Sequence, residues 1–307
     1  MTELKKIIFI VGPTAVGKSE VAACVAKKKS AEIVSCDSMQ VYKEIQIANN
    51  KASLKIRQNI PHHLIDVVSV AERFDVASFN QLASQAIQEI HDRRHWPLIV
   101  GGTGLYMQVL LDGIFEAKEI DLDLREELLQ QAQDKGPEVL YNQLKLKDPL
   151  AAQKLHPHDL KRVVRALEVF LTEQQPISQL QKKRQGLWGK YDIQIFGLNC
   201  DRKKLYQKIN ERVERMFEEG LVDEIQSLQD LPLSQTARMI IGVKEVRGFL
   251  DGIYELEEAK ELMKRNTRRL AKRQLTWFRK DKRIQWIDID ETQSLDKTVE
   301  RILKEVT

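Results

Sequence analysis

The segment Gly12-Pro13-Thr14-Ala15-Val16-Gly17-Lys18-Ser19 fits G-x-x-x-x-G-K-[ST] without a mismatch. An apolar run at 7–11 precedes it and a helical pattern at 20–28 follows. Glycines at this spacing let a loop curl until its backbone N–H groups converge on phosphate oxygens, and the next helix N-terminus adds positive dipole. Lys18 would neutralise charge on the terminal phosphate, and Ser19 would hold magnesium. Phosphate binding follows from the motif. It leaves open whether the phosphate is transferred, hydrolysed or expelled as a leaving group, because all three need the same cradle.

Two further loops follow apolar runs. The run 32–36 ends at Asp37-Ser38-Met39-Gln40-Val41-Tyr42, and in a parallel sheet that edge lies beside the phosphate loop. A carboxylate there can take a proton from an attacking nucleophile or hold a substrate hydroxyl; capping the next helix is the plainer role. The run 98–100 ends at Gly101-Gly102-Thr103-Gly104, where glycines let a ligand approach the Thr103 hydroxyl, or simply make a tight turn. The adjacent His62 and His63 lack the additional spaced ligands of a metal site, so local hydrogen bonding is expected of them.

These loops require strands and helices in alternation, which is α/β architecture with a parallel sheet flanked by helices. Runs at 193–198 and 284–288 supply further strands. Between 122 and 185 the strand signals stop: Asp123 opens a helix that Gly136 closes, Pro137 and Pro149 suit first-turn positions, and Asp159 caps an amphipathic stretch through Glu173. The expected organisation is a P-loop NTPase-like core at 1–115 and 190–307, with an all-helical domain at 116–189 inserted into it.

Composition is that of an ordinary globular chain, 42% hydrophobic and 31% charged over 307 residues. No stretch reaches the length of a signal peptide or membrane span, so a cytoplasmic protein without membrane contact is expected. Cys24, Cys36 and Cys200 are odd in number and widely spaced, which suits reduced core thiols. The net charge of +4 is uneven. Residues 260–283 hold eleven Lys/Arg against two acids, a local +9 that leaves −5 for the rest. On a helical wheel Met263, Leu270 and Trp277 share a face opposite Arg265, Arg268, Arg269, Lys272 and Arg279. Charges of one sign so crowded favour a polyanion over a merely solvated face. Lys161-Arg162-Val163-Val164-Arg165 repeats the theme.

Together these segments resemble the tRNA dimethylallyltransferase family, also called tRNA isopentenyltransferases. The motifs that carry the resemblance are GPTAVGKS at 12–19, DSMQVY at 37–42, PHHLID at 61–66, GGTGLY at 101–106, RVVRALEVF at 162–170 and TRRLAKRQLTWFRKD at 267–281. The resemblance implies transfer of the dimethylallyl group of dimethylallyl diphosphate to N6 of the adenosine 3′ of the anticodon in tRNA, with magnesium assisting. Diphosphate would then be the leaving group in the loop 12–19, with Lys18 and Thr103 in the catalytic set and Asp37 as general base. Asp37, Ser38, Met39, Gln40, Thr103, Arg125 and the stretch Lys161, Arg162, Val163, Val164, Arg165 fall at family positions that touch tRNA, with Arg268 and Lys272 added from the basic helix. Arg212, in Glu211-Arg212-Val213, occupies a family-like position facing the diphosphate or is an ordinary surface arginine. The implied partners are the tRNA anticodon stem-loop and dimethylallyl diphosphate, bound by a monomer.

Departures from the family pattern are confined. Where the family reads close to G-T-A-K-P, this chain has Ile47-Ala48-Asn49-Asn50-Lys51-Ala52, and the I-G-Y-K-E pattern appears with Val243 in place of tyrosine. No cysteine pair follows the basic helix, which points to the bacterial type. The competing activities are a small-molecule kinase with Asp37 on the acceptor, a prenyltransferase of free adenine nucleotides, and a non-catalytic RNA-binding NTPase.

Overall fold

Alternating apolar runs and amphipathic helices dictate the order of elements. The computed structural model describes residues 4–115, 121–289 and 295–306. The strands are β1 (Lys6–Val11), β2 (Ala31–Ser35), β3 (His62–His63), β4 (Trp96–Gly101), β5 (Asp192–Asn199) and β6 (Gln285–Asp288). The helices are α1 (Lys18–Lys29), α2 (Leu54–Asn59), α3 (Val76–Asp92), α4 (Gly104–Asp112), α5 (Leu122–Lys135), α6 (Pro137–Lys147), α7 (Pro149–Ala152), α8 (Leu160–Glu173), α9 (Ile177–Leu180), α10 (Arg202–Glu218), α11 (Leu221–Gln226), α12 (Val243–Leu250), α13 (Leu256–Phe278) and α14 (Leu295–Glu305).

The chain divides into two compact units, residues 1–110 with 188–307, and residues 111–187. Trp188 belongs to the first unit, where it bridges Tyr191 and lies under the Arg283 guanidinium. The start of the insertion expected at residue 116 lies outside the described residues.

The first unit holds a six-stranded sheet in the order β3-β2-β4-β1-β5-β6, with every pairing parallel. Central strands buried on both faces read as continuous apolar runs, and Ile7, Ile8, Phe9, Ile10 and Val11 of β1 are all buried. Helix α1 lays Val21, Ala22, Val25 and Ala26 against Ile8, Ile10, Leu98 and Val100. The order β2-β4-β1 brings the three glycine- and aspartate-bearing loops to neighbouring C-terminal strand ends. The two-residue β3 has no sequence signature of its own; it exists by pairing with Ile33 and Val34.

The second unit is helical throughout its described residues. Its first cap is Asp121, whose carboxylate accepts from the Leu124 amide at 3.0 Å. The sequence expectation placed that role on Asp123, which instead lies in the first turn. Pro137 and Pro149 do open helices, and Asp159 caps α8. Leu128, Leu140, Leu144, Val163 and Leu167 form the core. Buried Asp148 accepts from Ala151 N at 3.0 Å, Ser178 N at 2.9 Å and Ser178 Oγ at 2.7 Å, joining α7 to α9. A fully satisfied buried carboxylate of this kind fixes geometry more than it adds stability.

A second buried carboxylate anchors the far side of the sheet. Glu32 takes Arg93 bidentately at 2.9 and 2.8 Å, and both His63 and His95 at 2.7 Å. This engages His63, while His62 bonds the Ile60 carbonyl at 2.7 Å. The Arg93 hydrogen bonds, with those from the two histidines, hold the Glu32 carboxyl down from 4.5 to about 2. Across that interval the unfolded chain binds the extra proton, so the Glu32 contribution is complete above pH 4.5 and disappears as pH falls toward 2. Glu32→Gln should therefore melt below the wild type at neutral pH, by about 1–3 kcal/mol. Thermal melts of both proteins from pH 7 to pH 3 should show the gap narrowing on acidification.

Candidate active site

β1 delivers the chain to Gly12, where φ is +147° and a Cβ would lie 2.5 Å from the Leu198 carbonyl of β5. Only glycine fits there. The loop then curls to Lys18 at the start of α1, and the Lys18 ammonium reaches back to donate to the Pro13 carbonyl at 2.8 Å. Arg212 on α10 donates to Thr14 Oγ1 at 2.7 Å. Burial lowers Lys18 from 10.5 to about 8, against the attraction of Asp37 and with added repulsion from Arg212. Burial likewise lowers Arg212 to about 10, again opposed chiefly by Asp37. Two desolvated cations opposed chiefly by Asp37, with a smaller contribution from Glu20, form a site that favours further negative charge, which a polyanion supplies.

The cavity beside them measures about 430 Å³ and is lined by Thr14, Gly17, Lys18, Ser19, Asp37 and Arg212 among others. α10 presents Lys208, Glu211, Arg212 and Arg215 to it at i, i+3, i+4 and i+7. Arg212 is thus a cavity residue. The spacing of its three companions was readable in the sequence as one helix face. Ser19 is exposed to this space with no hydrogen-bond partner among the described residues. A lone hydroxyl beside a phosphate cradle fits magnesium, which takes few protein ligands and completes its shell with phosphate oxygens and water. Pro13 and Val16 are buried, so the loop offers backbone rather than side chains at those positions.

A second cavity of about 210 Å³ shares Thr14, Asp37, Asn49, Asn50 and Arg212 with the first. Its other walls combine a methionine-rich apolar side, Met39, Met216, Met239, Met263, Ile240 and Leu270, with a polar edge of Ser38, Thr103, Thr267, Arg273 and Gln274. Asp37 stands at the junction. Its carboxylate accepts from Met39 N at 2.9 Å, and no helix begins there, so its role as a helix cap is replaced by a local turn. Thr103 Oγ1 accepts from Ser38 N at 3.1 Å, fastening the Asp37 loop to the glycine turn. Gln40 accepts from Ser35 Oγ at 2.9 Å and lines the first cavity.

The divergent segment 47–52 is built into the site. Glu224 of α11 accepts from the backbone N–H groups of Gln46, Ile47 and Ala48 at 2.6, 2.8 and 2.9 Å. Asn49 Nδ2 donates to the Met39 carbonyl at 2.6 Å, and Lys51 is fixed by Asp66. Val243 is buried. The sequence reading missed Asn49, Asn50 and Gln274 as cavity residues, and no local signal marks them.

A family model described as IPP transferase matches residues 40–281. The chain belongs to the IPP transferase family. It is 45% identical over 303 residues to the tRNA dimethylallyltransferase of Carboxydothermus hydrogenoformans, covering 98% of this chain and 97% of that one. The crystal structure of tRNA isopentenylpyrophosphate transferase from Bacillus halodurans superposes with a TM-score of 0.71 at 39% identity, covering 98% and 96% of the two chains. A eukaryotic dimethylallyltransferase captured acting on tRNA superposes with a TM-score of 0.84 at 32% identity, covering 97% of this chain and 77% of the other.

The basic residues of this IPP transferase are less uniform than its sequence implies. The buried seam of α13 is Ala259, Met263, Thr267, Ala271 and Phe278, at mostly four-residue steps. Trp277, expected on the Met263 face, is 43% exposed and lies over Gly104. Lys260 and Lys264 pair with Glu214, and Arg268 donates to Asn210 at 2.7 Å. Arg265, Arg269, Lys272, Arg273 and Arg279 have no side-chain hydrogen bond or ion pair among the described residues. In the helical unit Val163 and Val164 are core residues, so their side chains are withdrawn from any ligand. Arg125 is held bidentately by Glu168, which also faces Arg165 at 3.5 Å. Lys161 and Arg162 are exposed, Arg162 in a pair with Asp159.

A ligand polyanion should raise the Lys18 pKa above its value of about 8 in the free protein. Binding therefore takes up a proton above that pH. The ratio of inorganic diphosphate affinities, wild type over Lys18→Ala, should be constant below about pH 8 and shrink by up to ~10-fold per pH unit beyond it. Calorimetric titration in magnesium-free buffer between pH 7 and 9.5 checks this, the variant cancelling titration of the ligand itself.

Proposed function

We propose that this protein transfers the dimethylallyl group of dimethylallyl diphosphate to N6 of the adenosine 3′ of the anticodon in tRNA, releasing diphosphate. The observation that carries the reading is the junction of the two cavities. One is cationic and one is methionine-rich, and Asp37 stands where they meet. An allylic diphosphate has that division within a single molecule.

In this reading the loop 12–19 and the α1 N-terminus hold the diphosphate, with Lys18 and Arg212 opposite its oxygens. As the allylic C–O bond breaks, charge accumulates on the departing oxygen, where fixed donors in a desolvated site act most strongly. The adenine amine attacks the freed carbon, its nitrogen forms the new C–N bond, and the amine proton passes to the Asp37 carboxylate. Thr103 holds the Asp37 loop through Ser38 N. Magnesium, coordinated by the Ser19 hydroxyl, would supply additional charge neutralisation at the phosphates. The apolar wall of Met39, Met216, Met263 and Leu270 excludes water from the allylic carbon.

An anticodon-loop base must leave its stack to reach Asp37. The exposed Arg269, Lys272 and Arg273 on α13 are proposed to hold the backbone there. Lys161, Arg162 and Arg165 are proposed separately as tRNA contacts of the helical unit. Arg125 serves through Glu168, by keeping α5 and α8 in register. That one chain supplies every group the reading uses supports a monomer as the unit of action, and a tRNA substrate supports a cytoplasmic location.

Mass analysis of anticodon stem-loop nucleosides after reaction should show one dimethylallyl adduct on adenosine, with none when ATP replaces the diphosphate. Asp37→Asn should retain folding and binding of both substrates while single-turnover transfer falls by at least ~10²-fold. A stable variant with normal transfer would remove Asp37 from the proton step. Lys272→Ala should weaken stem-loop binding and lower the salt slope by about one unit, whereas Arg268→Ala should change the slope less because Arg268 is committed to Asn210. Filter binding across a salt series compares the two.

A further inference from the structure

α13 reaches into the reaction site through one amide. Gln274 Oε1 accepts from Thr14 N at 2.8 Å, and Gln274 Nε2 donates to the Gly102 carbonyl at 3.0 Å. The first partner belongs to the phosphate loop and the second to the turn that carries Thr103. The fit is close on both sides: a Cβ on Gly102 would lie 2.3 Å from Gln274 Nε2. Thr14 N–H can only donate and the Gly102 carbonyl can only accept, so the bridge requires a side chain with one of each. Glutamate lacks the donor and lysine lacks the acceptor.

We propose that Gln274 is a positioning residue that sets the distance between the leaving-group cradle and the Asp37–Thr103 side of the site. Thr14 is held from two directions, by Gln274 on its N–H and by Arg212 on its hydroxyl. With that N–H engaged, the cradle is left to the later amides of the loop, and its apex is located by α13. The Gly102 carbonyl lies one residue from Thr103, whose hydroxyl accepts from Ser38 N next to Asp37. A chain of hydrogen bonds thus runs from the phosphate loop through Gln274 and the glycine turn to the base. Gln274 also lines the second cavity together with Arg273. The helix proposed to face RNA is therefore the same body that registers the two halves of the reaction site.

The consequence for turnover rests on the prenyl-transfer reading; the consequence for diphosphate affinity rests on geometry alone. Gln274→Met keeps side-chain length and packing on Gly102 and removes both hydrogen bonds, whereas Gln274→Ala removes the volume as well. At saturating substrates Gln274→Met should lower single-turnover transfer by at least ~10-fold, since small misplacements of reacting groups have effects of that order or larger. Its affinity for inorganic diphosphate should fall by about fivefold, and its stem-loop Kd should stay within about twofold of wild type. Normal transfer and normal diphosphate affinity in Gln274→Met would overturn the proposal in favour of simple packing, even with Gln274→Ala impaired. A stem-loop affinity that falls in step with transfer would overturn it in favour of an RNA contact. If the wild type transfers no prenyl group, the prenyl reading fails by itself, and the diphosphate titration still decides whether Gln274 registers the cradle. If Gln274→Met does not melt cooperatively, Gln274→Glu carries the same comparison, keeping shape and acceptor while losing the donor to Gly102.

Discussion

Positive charge held out of water with too little negative charge beside it is the condition around which the first unit is built. Lys18 and Arg212 are both drawn below their ordinary pKa values by burial, and Asp37 is the principal carboxylate opposing that shift in each. Two cations in such a place repel one another and tend toward solvent. They stay because each is tied to the loop they serve, Lys18 to the Pro13 carbonyl and Arg212 to the Thr14 hydroxyl. The loop in turn keeps its shape because Gly12 lies against the β5 backbone and β1 is locked between β4 and β5. The sheet order is thus part of the electrostatics.

The parts of this arrangement that were legible in the sequence are those set by local backbone geometry. A glycine-rich loop between a strand and a helix announces both its conformation and its ligand, and Asp37 and Thr103 were found by their places after apolar runs. β5 and β6 were recognisable as strands, while their neighbours emerged only with the sheet. Gln274 and Asn49 were hidden because each meets its site through contacts set by the tertiary fold. The wheel drawn for α13 misplaced Trp277 for a similar reason. Its seven-residue apolar spacing was visible, but the buried seam follows the small residues Ala259, Thr267 and Ala271, which let neighbouring elements approach.

Counting charges also overstated the free cationic surface. Glu214, on a different helix, engages Lys260 and Lys264, and Arg283 folds onto Asp281. In the helical unit the carboxylate of Glu168 is buried and draws Arg125 and Arg165 toward it. A sequence sum treats such arginines as available to a polyanion, whereas the fold has already assigned much of their charge. What remains exposed and without a partner among the described residues is a narrower set, Arg265, Arg269, Lys272 and Arg273 on α13 and Arg279 at its C-cap.

The Glu224 carboxylate closes around three successive backbone amides of a loop far away in sequence. Amides gathered in this way commonly receive an anion from outside the chain; here α11 supplies one permanently. The first half of the loop's path is consequently written in the backbone and in one distant acid, and the second half in the side chains of Asn49 and Lys51. Positions 47 and 48 meet that acid through backbone alone, whereas the next two are held by residue type: Asn49 by its amide on the Met39 carbonyl and Asn50 by a left-handed backbone, φ +45°.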